Sequence, residues 1–344
     1  MTSNKSSTLF PTVVIGAGAW GTALAMAIAR NGHEVVLWAR DVEHVNEMQA
    51  SRSNERYLPN LSFPESLSVS ADFDQALTQA QHVLVSVPST AFVDILKQMK
   101  PVIGRNLAIS WATKGLTADT GKFLLDTAQE ILGGSHPFAI ISGPSFASEV
   151  AKNLPTAITI GSLDEAFAEA LASAMHSPTL RAYTTTDVLG VQLGGTVKNV
   201  MAIAAGIADG LGYGANTRAA LITRGMAEIL RLATHLGAKT ETLFGLSGIG
   251  DLILTCTDDQ SRNRQLGLLI GQGLSVEQAV EKLGKTVEGM TAAREVMMRA
   301  KQVGIEMPIV QQVYKVLFEG YDPHQAVKEL LERDQKAEAY TRDY

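Results

Sequence analysis

A single cysteine, Cys256, is the whole thiol content of this 344-residue chain. It excludes an intramolecular disulfide and any cysteine-rich zinc site, and it fits a reducing compartment. Basic residues are not in excess either. Lysine and arginine number 29 against 35 carboxylates, a net charge of −6, and no basic block interrupts the chain. That balance argues against nucleic acid as the partner, but not against an anionic small molecule, which a few local cations can hold. Long apolar runs are also missing. The stretch from Val200 to Ala208 is apolar but short, bounded by Asn199 and Asp209. It falls well under the roughly 18 residues of a membrane span, so no membrane insertion is expected. Residues 1–8 are polar, and the apolar run starting at Leu9 is broken by Pro11. Without a cationic start and a cleavage site, no secretory signal is read and the cytoplasm is expected. The seven histidines show no metal-ligand spacing, so no metal is expected.

What the chain does contain is the 46% hydrophobic and 19% charged content of an ordinary globular protein. Its length suggests two domains at roughly 150 residues each. In the first half, short β-branched runs alternate with helical patterns. Strands are predicted over 12–15, 34–38, 82–87, 106–111, 138–142, 156–160 and 180–184, with helices over 19–31, 90–99 and 120–132. Such alternation implies right-handed βαβ units and a parallel sheet covered on both faces. After Thr186 the strands stop. Helical windows follow at 187–209, 215–236, 262–270, 275–283, 290–302, 308–318 and 323–333. The expected fold is α/β: a doubly wound, mostly parallel sheet over residues 1–186, then an all-helical domain over 187–344. The cleft between them is the natural place for a site.

The sequence GAGAWG at 16–21 directly follows a predicted strand and opens a predicted helix. There Gly16 makes a tight turn, Gly18 lets a pyrophosphate approach the backbone, and Gly21 lets helix and strand pack closely. This is a Rossmann-type dinucleotide site, with the helix N-terminus supplying amide donors. An acid that reads the ribose usually ends the second strand of such a unit. Ala39 and Arg40 stand there instead. Arg40 can pair with a 2′-phosphate or lie over the adenine, and Asp41 can reach the ribose, so NAD and NADP both stay open. Lys114 follows the run ending at Trp111, at the carboxyl end of a parallel strand and so in the ligand crevice. The turn holding Gly143 and Ser145 follows another strand; its simpler reading is a serine helix cap.

Lys198 is the most informative residue. At helical spacing its neighbours are Gly194, Gly195, Met201 and Ala202, a small and apolar face. An ammonium there is costly unless its pKa falls or an anion joins it, and a lysine so poised suits acid–base work. Asn199 beside it adds a neutral donor and acceptor. Three glycines then deliver Asp251 to a helix start, with Thr255 four residues on and on the same face. Finally, SRNR at 261–264 opens a helix with two arginines, against the helix dipole. A bound anion turns that cost into a phosphate cradle of amides, Ser261, Asn263 and a guanidinium. Cys256 reads as a buried structural thiol.

The ordered segments GAGAWGTALA, LWARD, ATKGL, GPSFASEVA, LGGTVKNVMAIAAG, GLSGIGDLILTCT, SRNRQLG and TVEGM span positions 16 to 290. Together they resemble the bacterial-type NAD(P)-dependent glycerol-3-phosphate dehydrogenase family, although Ala19 stands where many relatives carry serine. The resemblance implies reversible hydride transfer between sn-glycerol 3-phosphate and dihydroxyacetone phosphate with NAD or NADP, supplying phospholipid synthesis, and it is compatible with a homodimer. It implies that Lys198 is the general acid–base and that Asp251 holds it. Lys114, Gly143, Ser145, Asn199, Asp251, Thr255, Ser261, Arg262 and Asn263 would line the substrate site. Gly16, Gly18, Ala19, Trp20, Gly21, Arg40, Lys114, Ala147, Arg262, Thr286 and Glu288 would touch the cofactor. Two other readings share part of this pattern. A sister two-domain reductase for another hydroxy or keto acid needs no phosphate cradle, and a nucleotide-binding redox sensor dispenses with Lys198.

Overall fold

Strands buried on both faces must be apolar throughout, and the β-branched runs of the first half satisfy that requirement. A computed structural model describes residues 11–117, 120–284 and 287–333. The first domain runs β1 (Thr12–Ile15), α1 (Ala19–Arg30), β2 (Val35–Trp38), α2 (Val42–Ser51), β3 (Ser53–Asn54), β4 (Leu58–Ser62) and β5 (Leu67–Ser70). It continues through α3 (Phe73–Thr78), β6 (His82–Val85), α4 (Ser89–Met99), β7 (Ala108–Trp111), α5 (Leu124–Leu132) and β8 (Phe138–Ser142). It closes with α6 (Ala147–Ala151), β9 (Thr156–Ser162), α7 (Glu165–Met175) and β10 (Leu180–Thr185). Eight strands form one sheet in the order β10-β9-β8-β7-β6-β1-β2-β5. All pairs are parallel except β8 with β9, so the sheet is mostly parallel, as the alternation implies. The order reverses at β1, whose neighbours are β2 and β6. That switch point opens the crevice where open α/β sheets bind ligands.

The second domain is helical: α8 (Val188–Gly210), α9 (Ala215–His235), α10 (Thr240–Leu243), a π-helical turn (Leu246–Gly250), α11 (Asp251–Thr257) and α12 (Arg262–Gly271). Then follow α13 (Val276–Leu283), α14 (Glu288–Gln302), α15 (Pro308–Phe318) and α16 (Pro323–Leu331). α8 is the axis of this domain, packed by α9, α11, α12 and α14. By length and mean hydropathy it passes for a membrane span, yet nearly all of it is buried within the protein. Its neighbour α12 approaches backbone to backbone. A Cβ on Gly206 would overlap the carbonyl of Arg264, and one on Gly267 would overlap that of Ile203. This closeness brings the first turn of α12 up to Lys198 and Asn199.

Three differences from the expected elements have local causes. The hairpin β3–β4 and the edge strand β5 are additional to the expected strands. β5 is only four residues with alternating burial, too short for a periodic signal. The helix expected from residue 120 starts at Leu124, because Gly121 donates to the Thr117 carbonyl (2.8 Å) and closes a turn first. Ser145 caps no helix: its hydroxyl donates to the Gly143 carbonyl (2.9 Å), and Phe146 holds the cap position of α6.

Candidate active site

The site is assembled around a buried carboxylate. The π-helical turn runs straight into α11, so Asp251 lies in the first turn of a continuing helix. Its side chain points toward α8 and is 1% exposed. One oxygen accepts a hydrogen bond from Lys198 Nζ, and the other accepts from Lys114 Nζ at 2.9 Å. Lys198 Nζ also donates to Thr255 Oγ1 (2.9 Å), whose hydroxyl in turn donates to the Asp251 carbonyl (2.6 Å). Lys198 is 6% exposed and does not reach bulk water along the helix edge. Two ammoniums from different domains therefore share one carboxylate.

That arrangement splits the two lysines. Burial pulls Lys198 down to about 7; Asp251 opposes the fall, and the Lys114 charge adds to it. Lys114 is also desolvated, but the Asp251 carboxylate overrides burial and raises it. Burial pushes Asp251 up, and the two ammoniums more than reverse this, so it stays ionised. A lysine that changes protonation near neutrality beside one that stays charged is what proton transfer in an anion site requires. The neighbouring Cys256 thiol is buried and pushed up to about 12, too high for a nucleophile.

A cleft with a cavity of about 160 Å³ opens above these groups. The sheet domain lines it with Trp20, Ala112, Lys114, Ser145 and Phe146, and the helical domain with Lys198, Asn199, Asp251, Leu254, Thr255, Ser261, Arg262, Asn263 and Glu288. Asn263 is fixed on both sides. It donates to Asn199 Oδ1 (2.9 Å) and accepts from the Gly289 amide (2.8 Å), which ties the first turn of α14 to that of α12. The two arginines of SRNR part company. Arg264 is buried against Asp209 (2.6 Å) and lies 3.1 Å from Asp259, so its charge is already matched. Arg262 is exposed at the cleft and pairs with no carboxylate among the described residues. Ser261 caps α12 by accepting from the Arg264 amide (3.3 Å). Asp209 and the cleft residues Ala112, Phe146 and Leu254 were not singled out from sequence; the first has only its place at the end of an apolar run as a signal.

The glycine loop fits a dinucleotide. Gly16 has φ +112°, and a Cβ there would overlap the Ser86 carbonyl, while one on Gly21 would overlap the carbonyl of Gly16. By contrast, Gly18 faces open space, and no side chain caps α1. The amides of Ala19, Trp20 and Gly21 are thus available to a pyrophosphate. The indole N–H of Trp20 is buried and meets no acceptor among the described residues, which suits a ligand acceptor in the cleft. Arg40 is exposed beyond β2. Asp41 is already committed: it caps α2 through the His44 amide (3.1 Å) and pairs with Arg56 (2.9 Å), which leaves it poorly placed to read a ribose. Gly143 lies in the turn after β8 and Ala147 opens α6, both outside the cleft lining, and Thr286 falls outside the described residues.

A glycine-loop sheet domain, a helical domain carrying a paired lysine and aspartate, and a cleft between them define a two-domain nicotinamide-dependent oxidoreductase. Residues 11–168 match the family model for the NAD-dependent glycerol-3-phosphate dehydrogenase N-terminus, and residues 187–328 match that for its C-terminus. The chain belongs to the NAD-dependent glycerol-3-phosphate dehydrogenase family. It is 53% identical to the glycerol-3-phosphate dehydrogenase [NAD(P)+] of Idiomarina loihiensis, over 94% of this chain and 98% of that one. The corresponding protein of Nitrosococcus oceani is 52% identical over 95% of each. The crystal structure of the Coxiella burnetii glycerol-3-phosphate dehydrogenase superposes with a TM-score of 0.92 at 47% identity, covering 94% of this chain and 99% of that one. A ketopantoate reductase from Ralstonia eutropha, at 19% identity and a TM-score of 0.58 over 92% of this chain and 99% of that one, shares the fold alone.

Proposed function

We propose that this protein interconverts sn-glycerol 3-phosphate and dihydroxyacetone phosphate with NAD(H) or NADP(H), and that Lys198 moves the proton. The observation that carries the proposal is Lys198 Nζ, buried between Asp251 and Thr255 at the floor of a cleft whose rim presents Arg262. A nicotinamide dinucleotide held at the Gly16–Gly21 loop would supply the hydride chemistry at the substrate carbon. When the alcohol is oxidised, neutral Lys198 takes the hydroxyl proton as the C–H electron pair leaves and the carbonyl forms. In the reducing direction, the Lys198 ammonium returns that proton to the carbonyl oxygen. Its placement near 7 populates both forms at neutral pH. Oxidation should therefore gain as pH rises through about 7, and reduction should lose.

Lys114, charged and anchored by Asp251, supplies a fixed cation for the oxyanion-like oxygen in either direction. Arg262, Ser261, Asn263 and Asn199 form the proposed phosphate end, with Gly143 and Ser145 flanking it. Gly16, Gly18, Ala19, Trp20, Gly21, Arg40, Ala147, Thr286 and Glu288 are assigned to the cofactor. The division at 186/187, residence in the cytoplasm, a homodimer and a role in supplying phospholipid synthesis belong to the same proposal. The test is initial-rate oxidation of NADH and of NADPH with dihydroxyacetone phosphate against unphosphorylated dihydroxyacetone. Strong preference for the phosphorylated triose supports the reading. Indifference to the phosphate would assign the cleft to another hydroxy or keto acid, and no oxidation with either would refute it.

A further inference from the structure

We infer that Glu295, in the middle of α14 and outside the cleft lining, is a positioning residue that holds the Lys114 loop in place across the domain interface. The inference rests on the reading of Lys198 as the proton-transfer group. Glu295 is 1% exposed, and its two oxygens reach into the other domain. One accepts the Leu116 amide at 2.7 Å, and the other accepts the Ser89 hydroxyl at 3.4 Å. Next to it, the Gly115 amide donates to Thr196 Oγ1 of α8 (3.2 Å). The two peptides that follow Lys114 are therefore both tied to the helical domain, while the Lys114 side chain is tied to Asp251. Gly115 makes this possible. Its φ is +136°, and a Cβ would come within 2.8 Å of Ser89 Cβ and 3.2 Å of Glu295 Oε2.

α14 thereby serves both ends of the site. Glu288 and Glu295 are seven residues apart, two turns on one face, so the helix that brings Glu288 to the cleft also clamps the loop bearing Lys114. A buried carboxyl group with one N–H and one O–H donor works in either protonation state. Protonated, it can give its proton to Ser89 Oγ while its other oxygen still accepts from Leu116. An amide of the same shape can do likewise. Displacing the clamp frees the loop, and Lys114 recedes from Asp251. The charged groups facing Lys198 are Asp251 and Lys114; Cys256 beside them is neutral, and Glu288 acts on Lys114. Losing the Lys114 charge removes a repulsion and leaves Asp251 to Lys198 alone, so Lys198 must titrate at higher pH.

The test is the pH dependence of kcat/KM for Glu295→Ala, Glu295→Asp and Glu295→Gln, each as the full chain. The aspartate is one methylene too short to keep the Leu116 bond. Glu295→Ala and Glu295→Asp should lose on the order of 10–100-fold in kcat/KM from misplacement. Their Lys198 limb should move up by about one pH unit. Glu295→Gln should keep both the rate and the limb. Folded Ala and Asp variants with an unmoved limb would overturn the inference, as would a Gln variant that behaves like Ala. Failure of both shortened variants to fold would also overturn it, in favour of a purely structural role. Lys198→Ala, assayed alongside, keeps the two readings apart: if it retains turnover, the parent assignment fails whatever Glu295 does.

Discussion

Replacing Asp251 with asparagine removes the charge that two buried ammoniums share while keeping the side-chain shape. Breaking a buried pair by deleting one partner's charge typically costs about 3–5 kcal/mol, because the other charge is left uncompensated. Here Lys114 and Lys198 divide the loss, about 1.5–2.5 kcal/mol each, which equals about one to two pKa units per lysine. The Lys198 limb should therefore fall from about 7 to roughly 5–6. At pH 7 the protonated fraction then drops from roughly one half to between a tenth and a hundredth, and the reducing rate falls roughly 5–50-fold on that account alone. The stability deficit must also depend on pH. Lys198 in the folded protein already lies below its ordinary value, so the folded state binds fewer protons than the unfolded chain between about 7 and about 10.5, and stability from this group rises with pH across that window. In Asp251→Asn the window opens lower, so the deficit from this group should be larger at pH 6 than at pH 9. Urea unfolding at both pH values, with the kcat/KM profile, measures both effects. Equal stability to the unaltered protein at pH 6, or a limb that stays at its place, would refute the account.

Lys198→Ala should lower turnover by ~10²–10⁴-fold while NAD(P)H binding, followed by fluorescence titration, stays nearly intact; Lys198→Arg should not rescue it, since guanidinium keeps its proton. Arg262→Ala should raise the KM for dihydroxyacetone phosphate by the equivalent of about 1.5–3 kcal/mol, and Arg262→Lys should raise it less, because the charge stays while the fork is lost. Unchanged KM in both would move the phosphate to Lys114 and the Gly143–Ser145 turn. Arg40→Ala should weaken NADPH more than NADH if the guanidinium meets a 2′-phosphate. Equal losses would indicate stacking on the adenine, and no loss in either would return Arg40 to the bare surface.

Local chemistry made part of the site legible in advance. A lysine on a small, apolar helix face is costly unless its pKa falls or an anion joins it, so Lys198 stood out within its own helix. The glycine loop did the same, because the turn at Gly16 and the close approach at Gly21 are demands of neighbouring backbone. The SRNR segment was legible only in part. Its oddity, two cations at a helix start, was visible, but which arginine already has a carboxylate partner was decided by Asp209, 55 residues upstream of Arg264. Asp41, beside the right strand, is engaged by its own helix cap and by Arg56, and the local pattern names only the first of these. Glu295 had a faint signal, an acid among Ala292, Ala293 and Val296, but nothing in that spacing names Leu116 or Ser89 as its partners.

The two rhythms, the mostly parallel sheet followed by helices, and the residue types able to bind a dinucleotide and move a proton are legible in short stretches of chain. Those properties follow from periodicity, glycine sterics and the cost of burying charge, each decided within a few neighbouring residues. Long-range packing, in contrast, brings Lys114 and Lys198 from different domains onto Asp251 and sets Glu295 against the Leu116 amide just after Lys114. Pairings of that kind depend on which faces meet when α8, α11 and α14 pack against the sheet domain. That packing brings together groups 53, 137 and 179 residues apart, separations over which a local pattern carries no information.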